Sequence, residues 1–171
     1  MRPQVLTAIA ALVFATRALA TGPHEHGAVK LDVAVEGNRV SLLLDSPLAN
    51  LVGFERAPRT DAERQRVDSA IAALQAAATL FRVDAAAGCT PGQVSLNASA
   101  LEGQQAGAEA GHADIDASYA FKCSRGAPSF IEVRLFEAFP AVQRVDVQFV
   151  TITAQAKRTL TRPATRLSLR P

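Results

Sequence analysis

The chain of 171 residues has no tryptophan, one methionine, two cysteines and three histidines. It also lacks an uninterrupted apolar run of the roughly 20 residues that a membrane-spanning helix needs, which argues against a channel. Ten glycines and nine prolines exclude a collagen-like chain, and a hydrophobic content of 49% excludes a strongly disordered one. The formal charge of only +2 lacks the basic excess of a nucleic-acid-binding domain. What is present suffices for one folded domain with a hydrophobic core.

Motifs for catalysis are also missing. The sequence has no G-x-S-x-G nucleophile elbow, no G-x-x-x-x-G-K-[ST] phosphate loop and no H-E-x-x-H zinc motif. Asp114 and Asp116 could serve as an acid and a base, but carboxylates two residues apart are more typical of the solvated face of a strand. We therefore expect a protein that is not an enzyme.

The first twenty residues have the pattern of a secretory signal peptide. Met1 and Arg2 precede a short apolar run, and Ala18 and Ala20 form the small-x-small motif of a cleavage site. The alternative is a membrane anchor, but the run is too short to cross a bilayer. Cleavage after Ala20 would leave a single domain, 21–171, with equal numbers of acidic and basic side chains.

The two cysteines fit an exported protein. Cys89 and Cys123 lie 34 positions apart and form no C-x-x-C motif, which disfavours a zinc finger or a redox pair. In an oxidising compartment we expect them to form a disulfide, which would stabilise the fold by about 4 kcal/mol through closure of the loop.

Hydrophobic periodicity predicts an α+β fold. Apolar residues alternate with polar ones on both sides of Gly37 and Asn38, which indicates a β-hairpin. A spacing of three and four residues, preceded by a capping box at Thr60, predicts one long amphipathic helix over roughly 61–80. Further strands are predicted around 94–96, 115–123, 131–135 and 145–151, with short edge strands near 160 and 166–170. The total is six to eight mostly antiparallel strands with the helix packed on one face.

The histidines provide candidate metal ligands. His24 and His26 form an H-x-H pair before the first strand, and His112 precedes Asp114 and Asp116 at the start of a later strand. Residues two apart in extended chain share a face, so each group could direct its N or O atoms at one Zn²⁺ ion. The alternative is that the histidines lie in an amino-terminal tail and a loop without a metal. Binding would weaken below about pH 6.5, where histidine becomes protonated.

A basic stretch follows the last acidic residue, Asp146. It could dock an acidic partner or an anionic surface, or it could protect edge strands from aggregation. Its members are Lys157, Arg158, Arg162, Arg166 and Arg170.

Seven segments of the chain together form a recognisable pattern: 24–28, 46–55, 57–60, 80–81, 88–89, 112–123 and 135–140. In sequence and in order they resemble the periplasmic ZrgA zinc-uptake proteins of proteobacteria. This resemblance covers nearly the whole chain after the signal segment. Two positions depart from the family pattern, because the loop 102–111 has no histidine and Arg56 stands where members often have histidine.

The resemblance implies a periplasmic zinc-binding accessory of zinc uptake, working with the solute-binding protein of an ABC-type importer. It places His24, His26 and His112 in the family's H-x-H and H-x-D positions. A second hypothesis is a metal-independent periplasmic interaction module that docks a partner through its sheet or its basic carboxy-terminal edge. A third, an exported hydrolase, lacks a nucleophile.

Overall fold

The structure, a computed structural model, describes residues 25–97 and 114–170. In these residues it confirms an α+β fold. The described residues form four α-helices and nine strands, which is more than the six to eight strands predicted. The strands are β1 Ala28–Glu36, β2 Arg39–Pro47, β3 Phe81–Val83, β4 Cys89–Asn97, β5 Asp114–Cys123, β6 Phe130–Val133, β7 Arg144–Thr151, β8 Gln155–Thr161 and β9 Arg166–Ser168. The helices are α1 Leu48–Val52, α2 Asp61–Gln75, α3 Ala77–Leu80 and α4 Leu135–Ala138. None of the helices in the described ranges is long and apolar enough to span a membrane.

A six-stranded sheet in the order β4-β5-β2-β1-β7-β8 forms one layer of the molecule. Its pairings are antiparallel except that β1 runs parallel to β7. The hairpin predicted at Gly37 and Asn38 is confirmed as β1–β2, and Gly37 adopts a φ of 59°, which glycine accommodates without strain. One face of this sheet lies on the core, and the other, the open face, is directed away from it.

The register brings four chain segments to one end of the six-stranded sheet. Ala28 at the start of β1 pairs with Arg144 at the start of β7, and Pro47 at the end of β2 pairs with Asp114 at the start of β5. We call this end of the sheet the His26 end, because His26 lies two residues before β1. Two parts of the sequence predicted to supply metal ligands therefore begin strands at the same end, with β2 between them.

The prediction of one long helix over 61–80 is wrong, because the chain leaves helical geometry at Ala76 (φ −82°, ψ 62°). In a continuous helix Leu80 would be rotated by about 120° from the face of Leu74. The break instead allows Leu74, Ala77 and Leu80 all to be buried. The predicted cap is present, since the Thr60 hydroxyl accepts a hydrogen bond from the Glu63 N–H at 3.2 Å.

A second sheet, ordered β3-β6-β9, completes the core. The predicted carboxy-terminal edge strands are β8 and β9, which occupy edges of the two sheets. The strand predicted over 131–135 is shorter than expected: Arg134 leaves the extended conformation (ψ 21°) and donates its N–H to Leu80 O at 2.8 Å, and α4 follows. This turn keeps Leu135 and Phe136 buried.

The predicted disulfide is confirmed. Cys89 at the start of β4 lies directly opposite Cys123 at the end of β5, and their sulfur atoms are bonded. The bond fastens the edge strand β4 at the end of the sheet opposite the His26 end.

Candidate metal site at the His26 end of the sheet

The segment that carries His26 is fixed through backbone contacts. Buried Asn50 on α1 accepts a hydrogen bond from Gly27 N at 2.7 Å and donates one to Ala28 O at 2.8 Å. Gly27 has a φ of 83°, and its carbonyl oxygen accepts from the N–H groups of Gln143 and Arg144. A β-carbon at Gly27 would meet the Gln143 side chain at 3.2 Å. Glycine and the amide of Asn50 together determine how the chain enters β1.

Glu25 anchors the same segment to β7. Its carboxylate accepts two hydrogen bonds from Arg144, at 3.0 and 2.6 Å, and Arg144 Nε also donates to Asp146 at 2.8 Å. The hydrogen bonds from Arg144 lower the pKa of Glu25, and the two carboxylates raise the pKa of Arg144. Glu25, the middle residue of the H-x-H motif, therefore fixes this segment to the start of β7.

His26 itself is exposed and lies beside a carboxylate. Its side chain is 71% accessible, and its Nε2 is 3.7 Å from Oε1 of Glu55, whose side chain is 24% accessible. Sequence reasoning missed Glu55 as a site residue, although its segment was among those that resemble the family. His26 and Glu55 are 29 positions apart in the chain, so the sequence gives no local signal of their proximity. They come close only because α1 folds back over the start of β1.

The loop that carries Glu55 is held by the start of α2. Arg56 donates two hydrogen bonds to Glu63, at 2.9 and 2.7 Å, and Arg59 N donates a third at 2.6 Å. These contacts, the Arg56 guanidinium first, lower the pKa of Glu63 to about 2. Arg56 and Arg66 also lie over the ring of Phe54, 5.1 and 5.7 Å from its centroid. Arg56, where the family often has histidine, therefore takes a structural role.

The two predicted aspartates lie along one strand. Asp114 pairs with Pro47 at the His26 end, and its Oδ1 is buried. Asp116 is one pleat further from this end, exposed, and opposite both Asp45 and Asn97. With β2 between β5 and β1, the axes of these two strands are about 10 Å apart.

His24 and His112, the other two predicted ligands, lie outside the described residues, as does the predicted signal peptide. Within 25–97 and 114–170, no group of three or more His, Cys, Asp or Glu side chains is arranged to hold a metal ion. What the described part contributes is one imidazole beside one carboxylate, with the start of β5 at the same sheet end.

The fold and this site define an α+β domain with a histidine–carboxylate pair at the end of its main sheet. The model of the family described as ZrgA family zinc uptake protein matches residues 23–169. The chain therefore belongs to the ZrgA family, which confirms the resemblance seen in its motifs. No curated protein matches it.

Proposed function

We propose that this protein binds zinc as an accessory of zinc acquisition. Membership of a zinc uptake family supports a role connected with zinc. The observation that carries the proposal is the placement of His26, exposed beside Glu55, at the sheet end where β5 begins with Asp114. Imidazole nitrogen and carboxylate oxygen are ligands that Zn²⁺ accepts.

The proposed ligands are the three histidines together with the aspartates of β5. His24 and His26 come from the segment before β1, and His112 and Asp114 come from the segment that leads into β5. Asp116 is a more distant candidate, because it lies further along the open face. Both segments lead into strands, β1 and β5, that begin at the His26 end of the sheet.

The proposal also includes the compartment in which the protein works and its protein partner. We infer export by the signal peptide at 1–20, residence in the periplasm, and delivery of zinc to the solute-binding protein of an ABC-type importer. The disulfide between Cys89 and Cys123 supports an oxidising compartment. The protein acts by binding rather than by catalysis.

Isothermal titration calorimetry on residues 21–171 tests this proposal. We expect about one zinc ion per chain, with a dissociation constant below micromolar, and loss of that binding when His24, His26 and His112 are all replaced by alanine. Absence of zinc binding to the unaltered protein, or binding that the triple substitution leaves unchanged, would contradict it.

The alternative function is a metal-independent interaction module. The open face of the six-stranded sheet forms a groove of about 790 Å³ lined in part by Leu43, Ser118 and Val150. Leu43 and Val150 are about half exposed there, which favours a surface that a partner could cover. Growth in zinc-poor medium separates the two functions, since a protein without the three histidines would still support growth only if it works without the metal.

A further inference from the structure

We propose that Glu55 is the carboxylate ligand that shares the zinc ion with His26, an inference that rests on zinc binding as the protein's function. The motif-based ligand set contains no residue from the loop after α1. Glu55 lies in the loop after α1, a different chain segment from the one that carries His26 before β1.

The separation of the two side chains fits a shared metal ion. The distance of 3.7 Å between His26 Nε2 and Glu55 Oε1 exceeds that of a hydrogen bond. In a tetrahedral zinc site with metal–ligand distances of about 2.0–2.2 Å, two ligand atoms lie roughly 3.4 Å apart. A displacement of a few tenths of an ångström would therefore bring both atoms into the coordination sphere of one ion.

The carboxylate of Glu55 lies beside the imidazole of His26, with Nε2 and Oε1 3.7 Å apart. Arg56, the adjacent cation in the chain, is turned to Glu63 by two hydrogen bonds. Glu25, the acidic residue next to His26, is occupied by Arg144. Of the carboxylates in the two described segments that meet here, Glu55 is the one whose oxygen approaches the imidazole.

Contacts of neighbouring residues hold the backbone on both sides of the pair. Asn50 fixes the backbone after His26, and the stacking of Arg56 and Arg66 on Phe54 fixes the residue before Glu55. A backbone that is already fixed does not have to be ordered when a metal binds, which favours affinity.

The test compares Glu55→Gln with Glu36→Gln in the protein 21–171, using zinc affinity measured by competition with a chromophoric chelator. Glu36 is exposed at the far end of β1, so its substitution makes the same chemical change away from the site. We expect Glu55→Gln to weaken zinc binding by at least the roughly 10–100-fold that loss of an outer-shell partner causes. Glu36→Gln should leave the affinity unchanged.

The outcomes separate this inference from the proposed function. If the unaltered protein binds no zinc, the proposed function itself fails. If it binds zinc and His26→Ala weakens binding while Glu55→Gln does not, the inference about Glu55 alone is overturned. An equal loss in Glu36→Gln would show a general charge effect and would also overturn it. Glu55→His, which restores a ligand atom, should bind zinc more tightly than Glu55→Gln, and equal weakness of the two would again contradict ligation.

Discussion

A single amide side chain links the two halves of the candidate site. Asn50 is 3% exposed and uses both its oxygen and its nitrogen on the backbone of Gly27 and Ala28. Its own helix, α1, leads directly into the loop that carries Glu55. The contact therefore sets the position of the His26 segment relative to the Glu55 segment.

Replacing Asn50 with alanine should lower both stability and zinc affinity. The change leaves a buried N–H and a carbonyl without their partner, which costs about 1–3 kcal/mol of the free energy of unfolding. It also releases the backbone next to His26. Urea denaturation and chelator competition measure the two effects, with Gln75→Ala, an exposed amide at the end of α2, as the control. An Asn50→Ala protein with unaltered stability and affinity would refute this role.

At the scale of elements, the first turn of α2 is coupled to the Glu55 loop through Glu63. Three donated hydrogen bonds hold its carboxylate in the charged form and lower its pKa from the usual 4.5 to about 2. A carboxyl group with a depressed folded-state pKa stabilises the fold above its unfolded pKa, and this contribution is lost as the pH falls towards the folded value. The range of loss runs from about pH 4.5 to pH 2.

The metal-free protein should therefore be more stable than its Glu63→Gln variant at neutral pH, and the difference should shrink between pH 5 and pH 2.5. The measurement is urea denaturation at a series of pH values in the presence of a chelator. Glu36→Gln, at an exposed position on β1, provides the control and should show no such dependence. A stability difference that stays constant over this pH range would contradict the assignment.

Elements with strict local patterns were predictable from the sequence, and elements fixed by distant contacts were not. Alternation along β1, β2, β5 and β7 marks the buried face directly, because every second side chain enters the core. The break at Ala76 and the helical turn at Leu135 follow from burial against the rest of the fold. The parallel pairing of β1 with β7 joins residues more than 100 positions apart, and periodicity carries no information about which strands pair.

The same limit explains what was missed at the site. His26 and Asp114 were identifiable because histidine and aspartate in those spacings suit a metal. Glu55 lies in a segment whose apolar neighbours predict only a packed connector. Its role depends on α1 folding back over the start of β1, which is a property of the whole fold. The geometry that brings β1 and β5 to one end likewise appears only in the strand order.

At the scale of the whole molecule, the disulfide and the candidate metal site lie at opposite ends of the main sheet. Cys123 is nine residues along β5 from Asp114, a distance of about 30 Å in extended chain. The bond stabilises the fold by restricting the unfolded chain over a loop of 34 positions, which is a global effect. Cys89 and Cys123 lie at the far end of the sheet from the start of β1, which follows His26.

Replacing both cysteines with serine should therefore separate stability from metal binding. We expect the free energy of unfolding to fall by about 2–4 kcal/mol, because the unfolded chain regains the freedom that the bond removes. Zinc affinity, measured at a temperature where the variant is fully folded, should stay the same, because the sheet between the two ends is held by its own ladder and core. A zinc affinity that falls together with stability would mean that the disulfide positions the site, and that the six-stranded sheet does not keep its two ends independent.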